Sequence, residues 1–275
     1  MSKFVCNTAL ITGASSGIGA AFARQLARPG CRLILTARRK DRLQRLAAEL
    51  ERMGAQVETL TADLGTESGI QAVEQKIRDE PGLDLLINNA GFGLHGPFAG
   101  VPEEQHAEML RVHAEAPFRL THAALQGMLA RKKGAIINVS SAGAYRRSGR
   151  SVMYSATKSF LSMFSQSLHK GLRGTGVRIQ ALCPGYTHTE FHTARESMLK
   201  MKTENIPGFM WMNASRVTAI SLKALDRNQR LVVPGLIYKL AVLVGRLGWI
   251  ERYQTLRESG TLTELEYQVG RPGKG

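Results

Sequence analysis

A doubly wound, mostly parallel α/β sheet with helices on both faces is the fold class this sequence predicts. Three observations carry it. Short apolar runs alternate with longer helix-like runs along the 275 residues, as a parallel sheet requires when each strand returns through a helix. A glycine-rich turn, Thr12-Gly13-Ala14-Ser15-Ser16-Gly17-Ile18-Gly19, separates the first strand-like run from the first helix-like one. No repeat or low-complexity linker divides the chain, so one domain over residues 1–275 is expected.

Thr8–Thr12 reads as the first strand and Ile18–Arg28 as the helix after it. Arg32–Ala37 is the second strand, and Asp41–Met53 a charged amphipathic helix. Val57–Thr61, Leu83–Ile87, Ala135–Val139 and Val177–Leu182 continue the strands, and Leu231–Val233 brings them to about seven. Right-handed crossovers wind such a sheet in both directions and put its ligand site at the carboxyl ends of the strands. Residues 187–213 are read as a substrate-binding lid segment, and 235–275 as a C-terminal helical extension.

The net charge of +15 is spread along the chain in short clusters, with no nucleic-acid-binding signature. It reads as a field that favours anionic ligands, and no nucleic-acid partner is expected. Cys6, Cys31 and Cys183 are odd in number and widely spaced, without metal-ligand spacing. Thiols in a reducing cytoplasm, and no metal, are expected. No signal peptide is expected at the N-terminus, and no uncharged apolar run approaches the roughly 20 residues of a membrane span.

The glycine-rich turn suits a pyrophosphate. Glycines let the backbone approach closely, and the following helix N-terminus offers free N–H groups and a positive dipole end. Tyr154 and Lys158 are four apart, so on a helix they share one face. A free tyrosine ionises near pH 10; an ammonium beside it is expected to lower that value and fit the phenol for proton exchange.

Taken together, the motifs resemble the short-chain dehydrogenase/reductase family. They are the GxxxGxG spacing from Gly13, Asn88-Asn89-Ala90-Gly91 after the fourth strand, Tyr154 and Lys158 as a YxxxK pair, Ser141 before it, Pro184-Gly185 after the sixth strand, and Thr189. The match runs from residue 12 to residue 189 in the family's order and is specific as a set. It implies a Rossmann-type domain and hydride transfer between a nicotinamide cofactor and a carbonyl/alcohol pair. Tyr154 would be the general acid in reduction and the base in oxidation. Ser141 would bond the substrate oxygen, where negative charge grows, and Lys158 would also hold the nicotinamide ribose. Gly13, Ser15, Ser16, Gly17, Ile18, Gly19, Asp63, Leu64, Asn89, Ala90, Gly91, Pro184, Gly185, Thr187 and Thr189 would line the cofactor site with Tyr154 and Lys158. One departure stands out: His113 falls where the family usually carries a catalytic Asn. Its backbone carbonyl could hold the relay water as before, or its imidazole could join the relay.

Cofactor choice rests on Leu35-Thr36-Ala37-Arg38-Arg39, which has no acidic residue. NAD enzymes usually place a carboxylate there for the ribose hydroxyls. Arg38, with no acidic neighbour in that stretch, and Arg39 beside it are expected to pair with a 2′-phosphate, so NADP(H) is the predicted cofactor. The resemblance places Phe92, Leu94, Gly143, Tyr145 and Tyr186 on the substrate side. Met198, Leu199, Met201, Ile206, Phe209, Met210, Trp211 and Met212 give the lid segment its apolar character. His95, His188 and His192 read as loop residues without metal spacing, and Arg146, Arg147 and Arg150 as solvated. After Val232-Val233-Pro234-Gly235, the stripe Leu236, Leu240, Leu243 and Leu247, flanked by Lys239 and Arg246, is expected to pack on protein in preference to a membrane surface.

The sequence therefore points to an NADP(H)-dependent carbonyl reductase or alcohol dehydrogenase acting on a hydrophobic ketone or aldehyde, and resembles a bacterial subgroup with broad carbonyl substrates. A homodimer or homotetramer follows from the resemblance. The alternatives are a 3-oxoacyl or hydroxysteroid reductase, which shares every motif, and a catalytically silent NADP(H)-binding regulator. The presence of Ser141, Tyr154 and Lys158 together speaks against the regulator.

Overall fold

Seven parallel strands form one sheet in the computed structural model, which describes residues 4–190 and 206–246. They are β1 (Thr8–Thr12), β2 (Arg32–Ala37), β3 (Gln56–Thr61), β4 (Leu85–Asn88), β5 (Gly134–Val139), β6 (Val177–Leu182) and β9 (Leu231–Val232), in the spatial order β3-β2-β1-β4-β5-β6-β9. Every pairing is parallel. The order reverses between β1 and β4, so a crevice opens beyond their carboxyl ends.

The buried strands explain their own position. All four residues of β4 and all six of β5 are buried, as continuous apolar runs in a sheet covered on both faces must be. The edge strand β3 instead mixes half-buried and exposed residues and buries none. α1 (Gly17–Leu26), α2 (Lys40–Glu51) and α7 (Ala214–Asp226) cover one face through Phe22, Leu43, Leu46, Val217 and Leu225. α3 (Glu67–Arg78), α5 (Ala116–Ala130) and α6 (Val152–Gly171) lie on the other, burying Ile70, Val73, Leu120, Met128 and Leu172, which follows α6. The expected helices and strands differ from these bounds by at most two residues, within the range over which assigned ends vary.

Three features were not foreseen. Between α4 (Glu103–Leu110) and α5 the helix widens into a π-turn, Arg111–Glu115, around His113. Within 187–213, β7 (Thr187–His188) pairs parallel with β8 (Met212–Asn213), so both ends of this segment are tied together; two-residue strands carry no periodicity to read. Met198, Leu199, Met201 and His192 lie outside the described residues.

The third is a correction. On α8 (Leu236–Arg246) the packed residues are Tyr238 and Val242, against Ala181, Cys183 and Val233, whereas Leu236, Leu240 and Leu243 are exposed. Lys239 is exposed with them. The leucine stripe has the right period but the wrong phase, because Tyr238 finds a hydrogen-bonded niche that no leucine could use. Leu247 lies outside the described residues.

Candidate active site

The site assembles at the carboxyl ends of β1, β4, β5 and β6. At β1, Gly13 adopts φ +65°, and a side chain there would strike the Ala90 Cα at 2.8 Å. Thr12 locks this turn to the β4 end. Its hydroxyl accepts from the Asn89 and Ala90 amides at 2.9 and 3.0 Å and donates to the Ile87 carbonyl at 3.3 Å. The Asn89 amide group donates to the Thr12 and Gly13 carbonyls at 2.9 and 3.2 Å.

Ser16 caps α1 in extended geometry without a side-chain capping bond, and the first turn holds no acidic side chain. Ser15, Gly17, Ile18 and Gly19 complete a helix start whose amide donors and dipole suit an anion. Gly17 faces Thr189, since an added Cβ would meet the Thr189 side chain at 3.0 Å. Thr189 itself bonds the Thr187 carbonyl, and Thr187 the Gly185 carbonyl. Pro184 accepts from the Ala142 amide at 2.9 Å, which joins the β6 loop to the Ser141 loop. These residues fit a dinucleotide: close-packed glycines, free-ended helix and flanking hydroxyls all face one crevice.

Ser141 follows β5. Its hydroxyl accepts from the Gly143 amide at 3.0 Å and hydrogen-bonds the Tyr154 phenol. Tyr154 lies on α6 one turn before Lys158. The expectation that the ammonium lowers the phenol's pKa is not met. Burial pushes Tyr154 up to about 12, and the Ser141 hydrogen bond draws it only partly back. Lys158 is only 4% exposed and donates to the Val139 carbonyl at 2.9 Å. Burial brings its own pKa down to about 8. Desolvation disfavours both charged forms and is the largest cause of each shift.

His113 is fully buried beside this pair. Its Nε2 accepts from the Phe92 amide at 3.0 Å, so that nitrogen carries no proton. Nδ1 faces the Thr157 hydroxyl at 3.2 Å, and Thr157 in turn donates to the Met153 carbonyl at 2.8 Å. The network therefore assigns the proton to Nδ1 and a neutral ring. Burial first, and then the Lys158 charge, hold its pKa well below the usual histidine value. A side chain at Gly91 would meet His113 Nε2 at 2.9 Å and Lys158 Nζ at 3.4 Å, which shows how closely the Asn89–Gly91 loop, the imidazole and the lysine pack. In a regular α-helix the amide of residue 117 would bond the carbonyl of residue 113. Residue 117 is proline, at the start of α5, and has no N–H. The π-turn and Pro117 thus deny the His113 carbonyl its α-helical partner; a proline four residues on was the sequence signal for this.

The ribose end needs a correction. Arg38 does have acidic neighbours, brought by folding: Glu108 at 3.4 Å and Asp63 at 3.9 Å. Arg39 is the arginine turned to the glycine-rich turn. It donates to Ser15 Oγ at 3.1 Å and Ser16 Oγ at 2.9 Å, and pairs with Glu190 at 3.1 Å. Arg42, unforeseen, joins Arg39 on Glu190. Asp63 also accepts from the Gly65 amide, and Leu64 is buried beside it.

On the substrate side, Phe92 stacks at a tilt on His113, 5.4 Å between centroids. Leu94 lines a small cavity with Tyr154, Arg150 and Ser151. Gly143 lies under the phenol, where an added Cβ would be 3.5 Å from the Tyr154 ring. Tyr186 packs on Trp211, which also stacks on His188. The Tyr145 hydroxyl is turned to Ser162 at 2.6 Å. His95 bonds Ser151 at 3.0 Å, and Arg146, Arg147 and Arg150 are exposed as expected. Tyr238 was missed altogether. It accepts from the Tyr186 amide at 3.1 Å and donates to the Met210 carbonyl at 2.6 Å. Its ring fills the space above Gly185, where any Cβ would lie about 2.0 Å from it. Among the described residues no cluster suits a metal ion, and no helix is long and apolar enough to cross a membrane.

Comparison with known proteins agrees with this geometry. A family model described as short chain dehydrogenase matches residues 7–200. A short-chain dehydrogenase from Sphingobium yanoikuyae, solved in complex with NADPH, superposes with a TM-score of 0.77 at 32% identity, covering 95% of this chain and 99% of that one. The bulky-bulky ketone specific alcohol dehydrogenase from Comamonas testosteroni follows at 0.74 and 28%, covering 96% and 97%. The human very-long-chain 3-oxoacyl-CoA reductase is 31% identical over 198 residues, 70% of this chain and 62% of that enzyme.

Proposed function

The chain belongs to the short-chain dehydrogenase family, and from that premise we propose that it is an NADP(H)-dependent reductase of bulky, apolar ketones or aldehydes. One observation carries the reading: Ser141, Tyr154 and Lys158 converge beside a crevice whose far end carries Arg39, Ser15 and Ser16. When bound, the nicotinamide supplies or takes the hydride. The chain's own work is the proton. With a pKa near 12 the Tyr154 hydroxyl stays protonated at neutral pH, so it can give its proton to the carbonyl oxygen while Ser141 donates a second hydrogen bond there. Lys158, close to half-charged at pH 8, replaces that proton. In this reading the His113 carbonyl, denied its α-helical donor by Pro117, would hold a water beside Lys158. A protonated phenol suits reduction; oxidation of an alcohol needs the phenolate and should gain rate with rising pH.

Phe92, Leu94, Gly143, Tyr186 and the described ends of the 187–213 segment form the substrate side in this reading, and their apolar character supports a bulky carbonyl. Tyr145 contributes ring surface only, its hydroxyl being committed to Ser162. The bulky-bulky ketone specificity of the Comamonas relative supports the substrate class, and the NADPH bound to the Sphingobium relative supports the cofactor. The resemblance to the human 3-oxoacyl-CoA reductase supports a second substrate class, 3-oxoacyl thioesters. We also assign a homodimer or homotetramer joined across α5 and α6, which present Phe118, Phe160 and Met163 to solvent. NADPH and NADH consumption with aryl ketones, aldehydes and a 3-oxoacyl thioester tests the whole reading. Turnover of bulky ketones with NADPH is expected, and no consumption with any carbonyl would overturn it.

A further inference from the structure

We infer that Glu190 competes with the 2′-phosphate of NADP(H) for Arg39 and Arg42 and so sets how strongly the chain prefers that cofactor. The inference rests on the cofactor reading above and adds a residue that lies outside the family motifs.

Arg39 is the N-cap residue of α2 and Arg42 lies in its first turn. Both guanidiniums converge on a single oxygen, Glu190 Oε2. Arg39 at the same time donates from Nη2 to Ser15 and Ser16. Two guanidiniums and two hydroxyls are more polar groups than one carboxylate can use, and the arrangement is that of an oxyanion site. Glu190 comes from a different part of the fold, one residue after Thr189, and its carboxyl is held below the usual carboxylate range by Arg42 and then Arg39. It is thus a monoanion built into the chain, seated on the donors that a phosphate would take.

A 2′-phosphate carries close to two charges and three acceptor oxygens, as phosphate monoesters do near neutral pH, so it wins the contest but must displace or crowd Glu190. NADH brings only hydroxyls and leaves the Glu190 pairs intact. The side chains are 36–47% exposed, so the penalty is modest, of the size of exposed charge pairs. The alternative geometry, in which Glu190 acts as a clasp over any dinucleotide, predicts equal losses for both cofactors when the charge is removed.

The test uses the full-length protein and Glu190→Gln, titrated calorimetrically with 2′,5′-ADP and with 5′-ADP, and by fluorescence with NADPH and NADH. Glu190→Gln should bind 2′,5′-ADP and NADPH about two- to five-fold more tightly, with 5′-ADP and NADH unchanged. Adding Arg42→Ala to that variant should erase the gain. An unchanged or weakened 2′,5′-ADP affinity, or an equal change for 5′-ADP, overturns the inference while leaving the cofactor reading intact. A wild type that binds 2′,5′-ADP no better than 5′-ADP overturns the cofactor reading instead.

Discussion

The two ends of the crevice are built on opposite electrostatic terms. At the catalytic end His113 is 0% and Lys158 4% exposed, and their partners are backbone groups and one hydroxyl. At the ribose end Arg38 is 52% and Arg39 39% exposed, and their partners are carboxylates, with the Ser15 and Ser16 hydroxyls also on Arg39. Water withheld from the first makes each hydrogen bond costly to lose and neutral states cheap. Water admitted to the second makes each ion pair weak, exchangeable and sensitive to salt. In the proposed reading, chemistry is fixed at one end and choice of cofactor is adjusted at the other.

The comparison breaks first at Tyr154. Tyr154→Phe keeps the ring and removes the proton, so turnover should fall by about 10²–10⁴-fold while NADPH binding persists. Stopped-flow reduction alongside a binding titration measures both, and near-normal turnover would remove the phenol from the mechanism.

His113 should break it next, in stability more than in rate. Because its folded-state pKa is depressed, the unfolded chain takes up a proton below about pH 6.5 that the folded chain refuses. Stability should therefore be full above that pH and fall as pH drops through it, by up to about 1.4 kcal/mol per pH unit. His113→Asn should flatten that slope in urea melts and keep turnover of the same order, because Pro117 still denies the backbone carbonyl its α-helical donor. A large loss of turnover in a folded variant would instead make the imidazole part of the relay.

The smallest effects belong to the ribose end. Arg39→Ala should raise KM for NADPH several-fold, as loss of a charge-assisted contact of about 1 kcal/mol does, and leave NADH unchanged. Arg38→Ala should do less, since Glu108 and Asp63 already engage that side chain. Raising ionic strength should shrink the Arg39 effect without touching the Tyr154 one. The reverse ranking of the two arginines would restore Arg38 as the phosphate residue.

The sheet was legible because its strands are local apolar runs. The candidate site residues were legible because Ser141, Tyr154, Lys158 and the glycine-rich turn keep fixed spacings. What escaped was whatever depends on partners distant in the chain. Glu108 reaches Arg38 and Glu190 reaches Arg39 only after folding. The fall of Lys158 toward 8 and the rise of Tyr154 toward 12 come from burial, to which a spacing is blind. The packed face of α8 was misjudged because one tyrosine hydroxyl with two backbone partners outweighed the leucine stripe.

That tyrosine has an evolutionary and practical corollary. Tyr238 is wedged above Gly185 and bonded to Tyr186 and Met210, so a helix late in the chain braces the loop that the proposed reading puts on the substrate side. In that reading, mutations on α8 should change which carbonyls are accepted more than they change the reaction itself. Diversification, natural or directed, has a dial here that is mechanically separate from the engine.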